Sequence, residues 1–229
     1  MKRAFTLAEV LITLGIIGIV AALTMPALIG NYRKKQTVTQ LKKVYSALYQ
    51  SVQMSQIEYG DIIDWDWNLN TENFFDQYLG KNFSVVKYCA KNEGCWNDDG
   101  GFMLSGAKYY DAPTKAANGD RSKITLSDGV FIAMRKQDQN HIHIVVDING
   151  NKRPNIYGID IFVFTLAAEK FSDNSHIITA PGLFMYGHGL SQEEIKSNSL
   201  GCSKNGSGLM CGEKILMDGW DIKNDYPWK

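Results

Sequence analysis

Lys2-Arg3-Ala4-Phe5-Thr6-Leu7-Ala8-Glu9 opens onto an uncharged run, VLITLGIIGIVAALTMPALI, over residues 10–29. At about 20 residues the run is long enough to span a bilayer. Glu9 is the one carboxylate beside it, and a lone Glu in lipid is costly unless something pairs with it. An ordinary secretory signal fits poorly. The basic segment is only Lys2-Arg3, and no small-x-small cleavage site ends the apolar run. Gly15 and Gly18 either let neighbouring helices approach or simply fill a lipid-facing surface. Pro26 removes a backbone donor and clashes one turn back, which predicts a kink or local melting there.

Past Asn31 the pattern becomes amphipathic. Val38, Leu41, Tyr45, Leu48 and Val52 recur at three- and four-residue intervals, while Gln36, Gln40, Lys43, Gln50 and Ser51 fall mostly off that stripe. The reading is one helix from Phe5 to about Gly60, apolar in its first half, with the stripe of its second half laid on a sheet. This gives four parts: residues 1–4, a membrane segment over 5–30, an amphipathic segment over 31–60, and a head over 61–229.

The head holds about 170 residues, enough to bury a core. The chain has no formal net charge, but the charge is unevenly placed. Residues 1–60 carry seven Lys/Arg against two Asp/Glu, and the remainder seventeen against twenty-two. A mildly acidic head argues against a nucleic-acid partner. Arg33-Lys34-Lys35 directly follows the apolar run and is placed to touch anionic headgroups. By charge alone that cluster would draw the head to the cytoplasmic side.

Four cysteines, Cys89, Cys95, Cys202 and Cys211, fall as two local pairs with five and eight intervening residues. Neither pair has the spacing of a zinc knuckle. Three connectivities are possible. The local loops Cys89–Cys95 and Cys202–Cys211 are favoured because short loops close most readily. The alternative is four free thiols in a reducing compartment.

The head reads as α+β. A short helix is expected over residues 72–79, with Thr71 as N-cap and Gly80 as its stop. Residues 96–120 are rich in Gly, Asn and Asp and read as loop. Ser127-Asp128-Gly129 is a hairpin turn between residues 124–126 and 130–135. Strands follow at 141–147 and 159–166, a meander of three to four. Ile142, Ile144 and Val146 alternate with His141, His143, Val145 and Asp147, one face apolar and the other partly polar. Ser191-x-x-Glu194 is a capping box, and a last strand is expected within 215–229.

Candidate chemistry is sparse. Asp147, Asn149, Asn151, Asn155 and Asp160 are oxygen-rich and invite calcium, which takes carboxylate and amide oxygens. The spacing is not that of an EF-hand, and a hairpin turned by Asn149-Gly150 is the commoner use of such residues. No cofactor is expected. His141 and His143 share a strand face but read as surface residues, since no third ligand stands at legible spacing. Trp65, Trp67, Trp220 and Trp228 suit core or interface packing better than a ligand shelf. No nucleophile motif, phosphate loop or zinc-protease motif is present, so an enzyme is not expected.

Phe5, Glu9 and the apolar run behind a short basic leader resemble the N-terminus of type IV prepilins and type II secretion pseudopilins. The family's residue before the cut is Gly, and here Ala4 stands in its place. The resemblance implies cleavage by a prepilin peptidase between Ala4 and Phe5 and methylation of the new Phe5 amine. It also implies Glu9 as the assembly carboxylate, and a filament built with other pilin-like subunits by a membrane platform and its ATPase. The precursor would sit in the bacterial cytoplasmic membrane with its head outside. Asp147-Ile-Asn-Gly-Asn-Lys-Arg-Pro-Asn-Ile-Tyr-Gly-Ile-Asp-Ile-Phe162 and Asp218-Gly-Trp-Asp-Ile-Lys-Asn-Asp-Tyr-Pro-Trp228 also look like segments of larger prepilin-type bacterial proteins. The rival expectations are a membrane-anchored binding module that never polymerises and an anchored enzyme with an unrecognised site.

Overall fold

The computed structural model describes residues 6–90, 94–97, 100–109, 113 and 121–228. Its spine is α1, Leu7–Tyr59, 53 residues in one helix, about 80 Å at 1.5 Å per residue. Helical geometry runs unbroken through Pro26, so the melting expected there does not occur. The first half buries nothing against its own chain. The second half buries Thr37, Leu41, Val44, Leu48, Ser51, Val52 and Ser55. Compared with the expected stripe, Val38 and Tyr45 lie at its margin and Val44, Ser51 and Ser55 inside it. The two serines are tolerated because each donates to a carbonyl of the next segment: Ser51 to Leu79 O at 3.0 Å, and Ser55 to Tyr78 O.

That segment starts with α2, Thr71–Phe74, capped by Asn70, whose side chain accepts from Asn73 N at 2.9 Å. The N-cap is therefore Asn70 and not Thr71. The helix does not stop at Gly80 either. It widens into a π turn over Phe75–Leu79 and tightens into a 3₁₀ turn over Gly80–Asn82. These turns aim Phe74, Phe75, Tyr78 and Leu79 inward together. Trp65 stacks on Tyr78 with ring centroids 4.4 Å apart. The Trp65 and Trp67 indoles donate to Gly60 O at 3.0 Å and Ile62 O at 2.8 Å. Both tryptophans belong to the core, while Trp220 and Trp228 pack at its edge.

Among the described residues the sheet has six strands: β1 Val85–Tyr88, β2 Arg121–Leu126, β3 Phe131–Lys136, β4 His141–Asp147, β5 Ile161–Ala167 and β8 Gly182–Met185. They lie in the order β1-β2-β3-β4-β5-β8, antiparallel at every pairing. A small hairpin, β6 Phe171–Ser172 and β7 Ile177–Ile178, stands apart from the sheet. The expected meander is thus the middle of a larger sheet. Met134, Ile144, Phe164 and Met185 line up as cross-strand partners. Tyr45 of α1 stacks on Phe164 at 6.3 Å, which fixes this as the face turned to the helix.

Two short helices close the chain, α3 Gln192–Ser197 and α4 Cys211–Met217. The Ser191–Glu194 capping box is formed. The strand expected within 215–229 is absent from the described residues; Met217 ends a helix and irregular chain follows. Cys211, Gly212, Glu213, Lys214 and Ile215 are all buried, and the backbone closes helical bonds, Lys214 N to Met210 O at 3.2 Å and Asp218 N to Lys214 O at 2.9 Å. The tail is pinned by charge. The Lys214 ammonium, almost wholly buried, reaches Asp218 and Asp225 at 3.0 Å each, and Lys223 reaches Asp218 at 2.9 Å. Tyr226 donates its hydroxyl to Gly158 O.

Leu48, 1% exposed, lies at the centre of the helix–sheet contact. Leu48→Ala is expected to lower head stability by about 2–5 kcal/mol, the usual cost of a leucine-sized cavity. Urea denaturation of the full chain in detergent, followed by tryptophan fluorescence, measures it.

Candidate functional site

At the N-terminal end of α1, Thr6 is the N-cap. Its hydroxyl accepts from Glu9 N at 3.3 Å, and Glu9 Oε2 accepts from Thr6 N at 2.8 Å and from the Thr6 hydroxyl at 3.0 Å. This is a complete capping box. The signature Thr6-x-x-Glu9 is of the same kind as Ser191-x-x-Glu194, so the box is legible in the sequence. The box satisfies Glu9 with uncharged donors, and no Lys, Arg or His among the described residues pairs with its charge. Ala4 and Phe5, the expected cleavage and methylation positions, lie outside the described residues.

From Leu7 the helix presents bare apolar surface: Leu7, Leu11, Ile12, Ile17, Ile19 and Leu23 are all more than 60% exposed. It is long and apolar enough to cross a membrane, and none of that span is buried in the chain. A Cβ added at Gly15, Gly18 or Gly30 would meet nothing within 4 Å. Whatever covers this surface, lipid or a neighbouring helix, comes from outside the chain.

Both local cysteine pairs are bonded, Cys89–Cys95 and Cys202–Cys211. The second lies under the loop before β5: a Cβ at Gly158, whose φ is +85°, would collide with Cys211.

That loop, residues 148–160, gathers polar atoms at one end of the sheet. It is not the two-residue Asn149-Gly150 hairpin; thirteen residues separate β4 from β5. Asp160 is buried and accepts from Asn155 N at 2.9 Å, Ile156 N at 2.6 Å and Asn149 Nδ2 at 3.1 Å. Asp147, fully buried, accepts from Asn149 N at 3.1 Å and Asn97 Nδ2 at 3.3 Å. Burial pushes the Asp147 carboxyl up to about 8, with the Asp160 charge adding to it. Burial also raises Asp160. The side-chain oxygens of Asn97, Asn149 and Asn155 are buried and accept no hydrogen bond. Asn151 is exposed and stands outside this cluster.

The sheet face turned away from α1 carries the histidines. His141 and His143 are half-buried, not open surface residues as expected, because the β6–β7 hairpin folds over them. His141 stacks on Phe171 at 4.6 Å, and His143 lies 5.8 Å from His176 and edge-on to Tyr186 at 5.2 Å. His176, 1% exposed, shares a hydrogen bond with the Thr165 hydroxyl at 2.9 Å. Burial holds His143 well below the ordinary imidazole range, helped by His176, His141 and Arg135. Burial also lowers His176, though Asp173 opposes the shift. Among the described residues no three His, Cys, Asp or Glu side chains converge as metal ligands.

Both rings bind a proton less readily in the fold than in the opened chain. Their contribution to stability is therefore complete above the unfolded value of about 6.5 and is lost as pH falls below it. Stability is expected to fall as pH drops below that point, by at most about 1.4 kcal/mol per pH unit for each ring that stays neutral. Denaturation midpoints measured from pH 7.5 to 5 check this, with a shallower slope expected for His143→Gln.

Residues 27–229 match a family of unknown function (DUF6613), and residues 1–25 match the prokaryotic N-terminal methylation motif, a type IV pilin-like prepilin signal. Comparison with curated proteins and with solved structures finds no match.

Proposed function

The chain belongs to the DUF6613 family and carries a pilin-type N-terminus, and from that premise we propose that it is a structural subunit of a pilus or of a type II secretion pseudopilus. In this reading residues 1–4 are removed by a prepilin peptidase between Ala4 and Phe5, and the new Phe5 amine is methylated. Residues 5–30 anchor the precursor in the cytoplasmic membrane, with residues 61–229 outside as the head. A platform and its ATPase then draw the subunit into a filament with other pilin-like chains. The chain performs no catalysis of its own.

One observation carries the reading. The unburied apolar span and the core helix of the head are a single continuous element. A helix moved out of lipid would expose that span unless like helices covered it. Glu9 supplies the register. The free Phe5 amine is positive and Glu9 is negative, each is costly alone in an apolar bundle, and each can neutralise the other across neighbouring subunits. The two disulfides fit an oxidising compartment for the head.

The rival is a plain membrane anchor whose Glu9 only caps its own helix. Glu9→Gln separates the two, because Gln keeps the capping box while removing the charge. Glu9→Gln and Glu9→Ala are expected to leave the precursor inserted and folded. Filament incorporation should fall on the order of tenfold or more, since an unpaired buried charge costs about 3–5 kcal/mol. The measurement is subunit abundance in sheared filaments relative to total membrane protein. Wild-type incorporation by Glu9→Gln would make the carboxylate a helix cap and favour the anchor.

A further inference from the structure

A pocket opens between α1 and the β4–β5 loop, close to where the apolar span ends. Arg33, Gln36, Thr37 and Gln40 line it from the helix, and Lys152 and Arg153 from the loop. Its volume is about 330 Å³. Thr37 fastens the two walls, its hydroxyl donating to Ile159 O at 3.4 Å. The loop is also wedged against the β2–β3 turn: a Cβ on Gly150, whose φ is +65°, would lie 2.3 Å from Gly129 O. The fold therefore brings Lys152 and Arg153 to the same pocket as Arg33, a meeting the sequence does not display.

The helix sets the height of this pocket above the bilayer core. The uncharged run ends at Ile29. At 1.5 Å per residue, Arg33 stands about 6 Å beyond it. The headgroup layer on each side of a bilayer is about 5–8 Å thick. With residues 10–29 in lipid, Arg33 lies at the level of the lipid phosphates and the loop directly above them. Two aromatic side chains mark the same depth. Tyr32 is 66% exposed beside Arg33, and the partly buried Trp228 lines the pocket. Tyr and Trp are the residues that favour a membrane–water interface.

Charge selects the ligand. Arg33, Lys152 and Arg153 are exposed, and neither Arg33 nor Lys152 forms an ion pair among the described residues. Two carboxylates also line the pocket, and both are engaged elsewhere. Asp128 pairs with Lys43 at 2.7 Å. Asp160 is buried and accepts from Asn155 N, Ile156 N and Asn149 Nδ2. Three cationic side chains are left for a ligand, with the amides of Gln36 and Gln40 as further donors. Guanidinium forks onto phosphate oxygens, and an ammonium adds a point charge.

We propose that this pocket binds the headgroup phosphate of one anionic phospholipid, which bridges Arg33 of α1 and Lys152 and Arg153 of the β4–β5 loop and seats the head on the membrane. The inference rests on residues 10–29 lying in a membrane and is independent of polymerisation. A general attraction of basic residues to an anionic surface makes a different prediction. Lys35 shares that attraction, being exposed and two residues from Arg33, but does not line the pocket.

The test is native mass spectrometry of the full chain released from dodecylmaltoside micelles, with phosphatidylglycerol or phosphatidylcholine added. One phosphatidylglycerol per chain is expected to be retained, with an apparent affinity about tenfold or more above that for phosphatidylcholine, the scale set by several cations at an anionic surface. Arg33→Gln and Lys152→Gln, each checked for native far-UV CD, should each weaken retention about fivefold, the worth of one such charge. Lys35→Gln should bind like wild type. Equal losses in all three variants would reduce the pocket to general attraction and overturn the site. Inorganic phosphate that binds at millimolar concentration while the lipid does not would assign the pocket to a free anion, which also overturns it. Dimers in lipid-free micelles that Lys152→Gln abolishes would assign it to an acidic face of a second copy, with the same result. A chain that stays monodisperse without detergent would defeat the anchor and the site together. A micelle-bound chain indifferent to lipid charge would defeat the site alone.

Discussion

One helix must satisfy two surroundings. The part of α1 up to about residue 30 is apolar on every side and meets nothing of its own chain. The part from Thr37 onward buries a stripe against the sheet and the turns over residues 71–82. Because helical geometry is continuous across Pro26, the position of the head is coupled to whatever surrounds the apolar span. Separating the two would require melting the helix between them, and in that stretch Arg33, Lys34 and Lys35 mark the change of environment. The head's architecture follows from this. Six antiparallel strands present the row Met134, Ile144, Phe164 and Met185 to the helix. The opposite face is closed by the β6–β7 hairpin over the half-buried His141 and His143.

Much of this was legible in the residues, for physical reasons. Membrane-length hydropathy, the alternation in β4, the Ser127-Asp128-Gly129 turn and the Ser191–Glu194 cap are local signals, and local signals survive without the fold. The cysteine pairs were legible because short loops close cheaply. What escaped depends on distant partners. The edge strand β1 and the placement of β8 beside β5 are set by pairings across the sheet. The π turn at Phe75–Leu79 brings three large side chains, Phe75, Tyr78 and Leu79, to the core beside Phe74. The last segment reads as a strand because Ile215 and Leu216 are β-compatible, yet Cys211–Met217 is a helix buried continuously through Ile215.

The candidate sites divide the same way. Glu9 stands out by its chemistry, and its capping partner Thr6 is legible from the same local motif as Ser191–Glu194. The oxygen-rich loop was visible as composition. The contribution of Asn97, fifty residues away in sequence, could not be read without the fold, and neither could the stranded amide oxygens. His141 and His143 looked like solvent residues because alternation assigns them to the face away from the core. The hairpin that covers them is nearly thirty residues further on.

The central claim is that a pilin-type subunit begins at Phe5 and carries an oxidised head on a continuous helix. The intact mass of the mature protein, extracted from membranes or filaments without reductant, tests it most directly. The account predicts the mass of residues 5–229 with one added methyl group and four hydrogens fewer than the reduced chain, two for each disulfide. A mass that includes Met1–Ala4, or one with four free thiols, would contradict it.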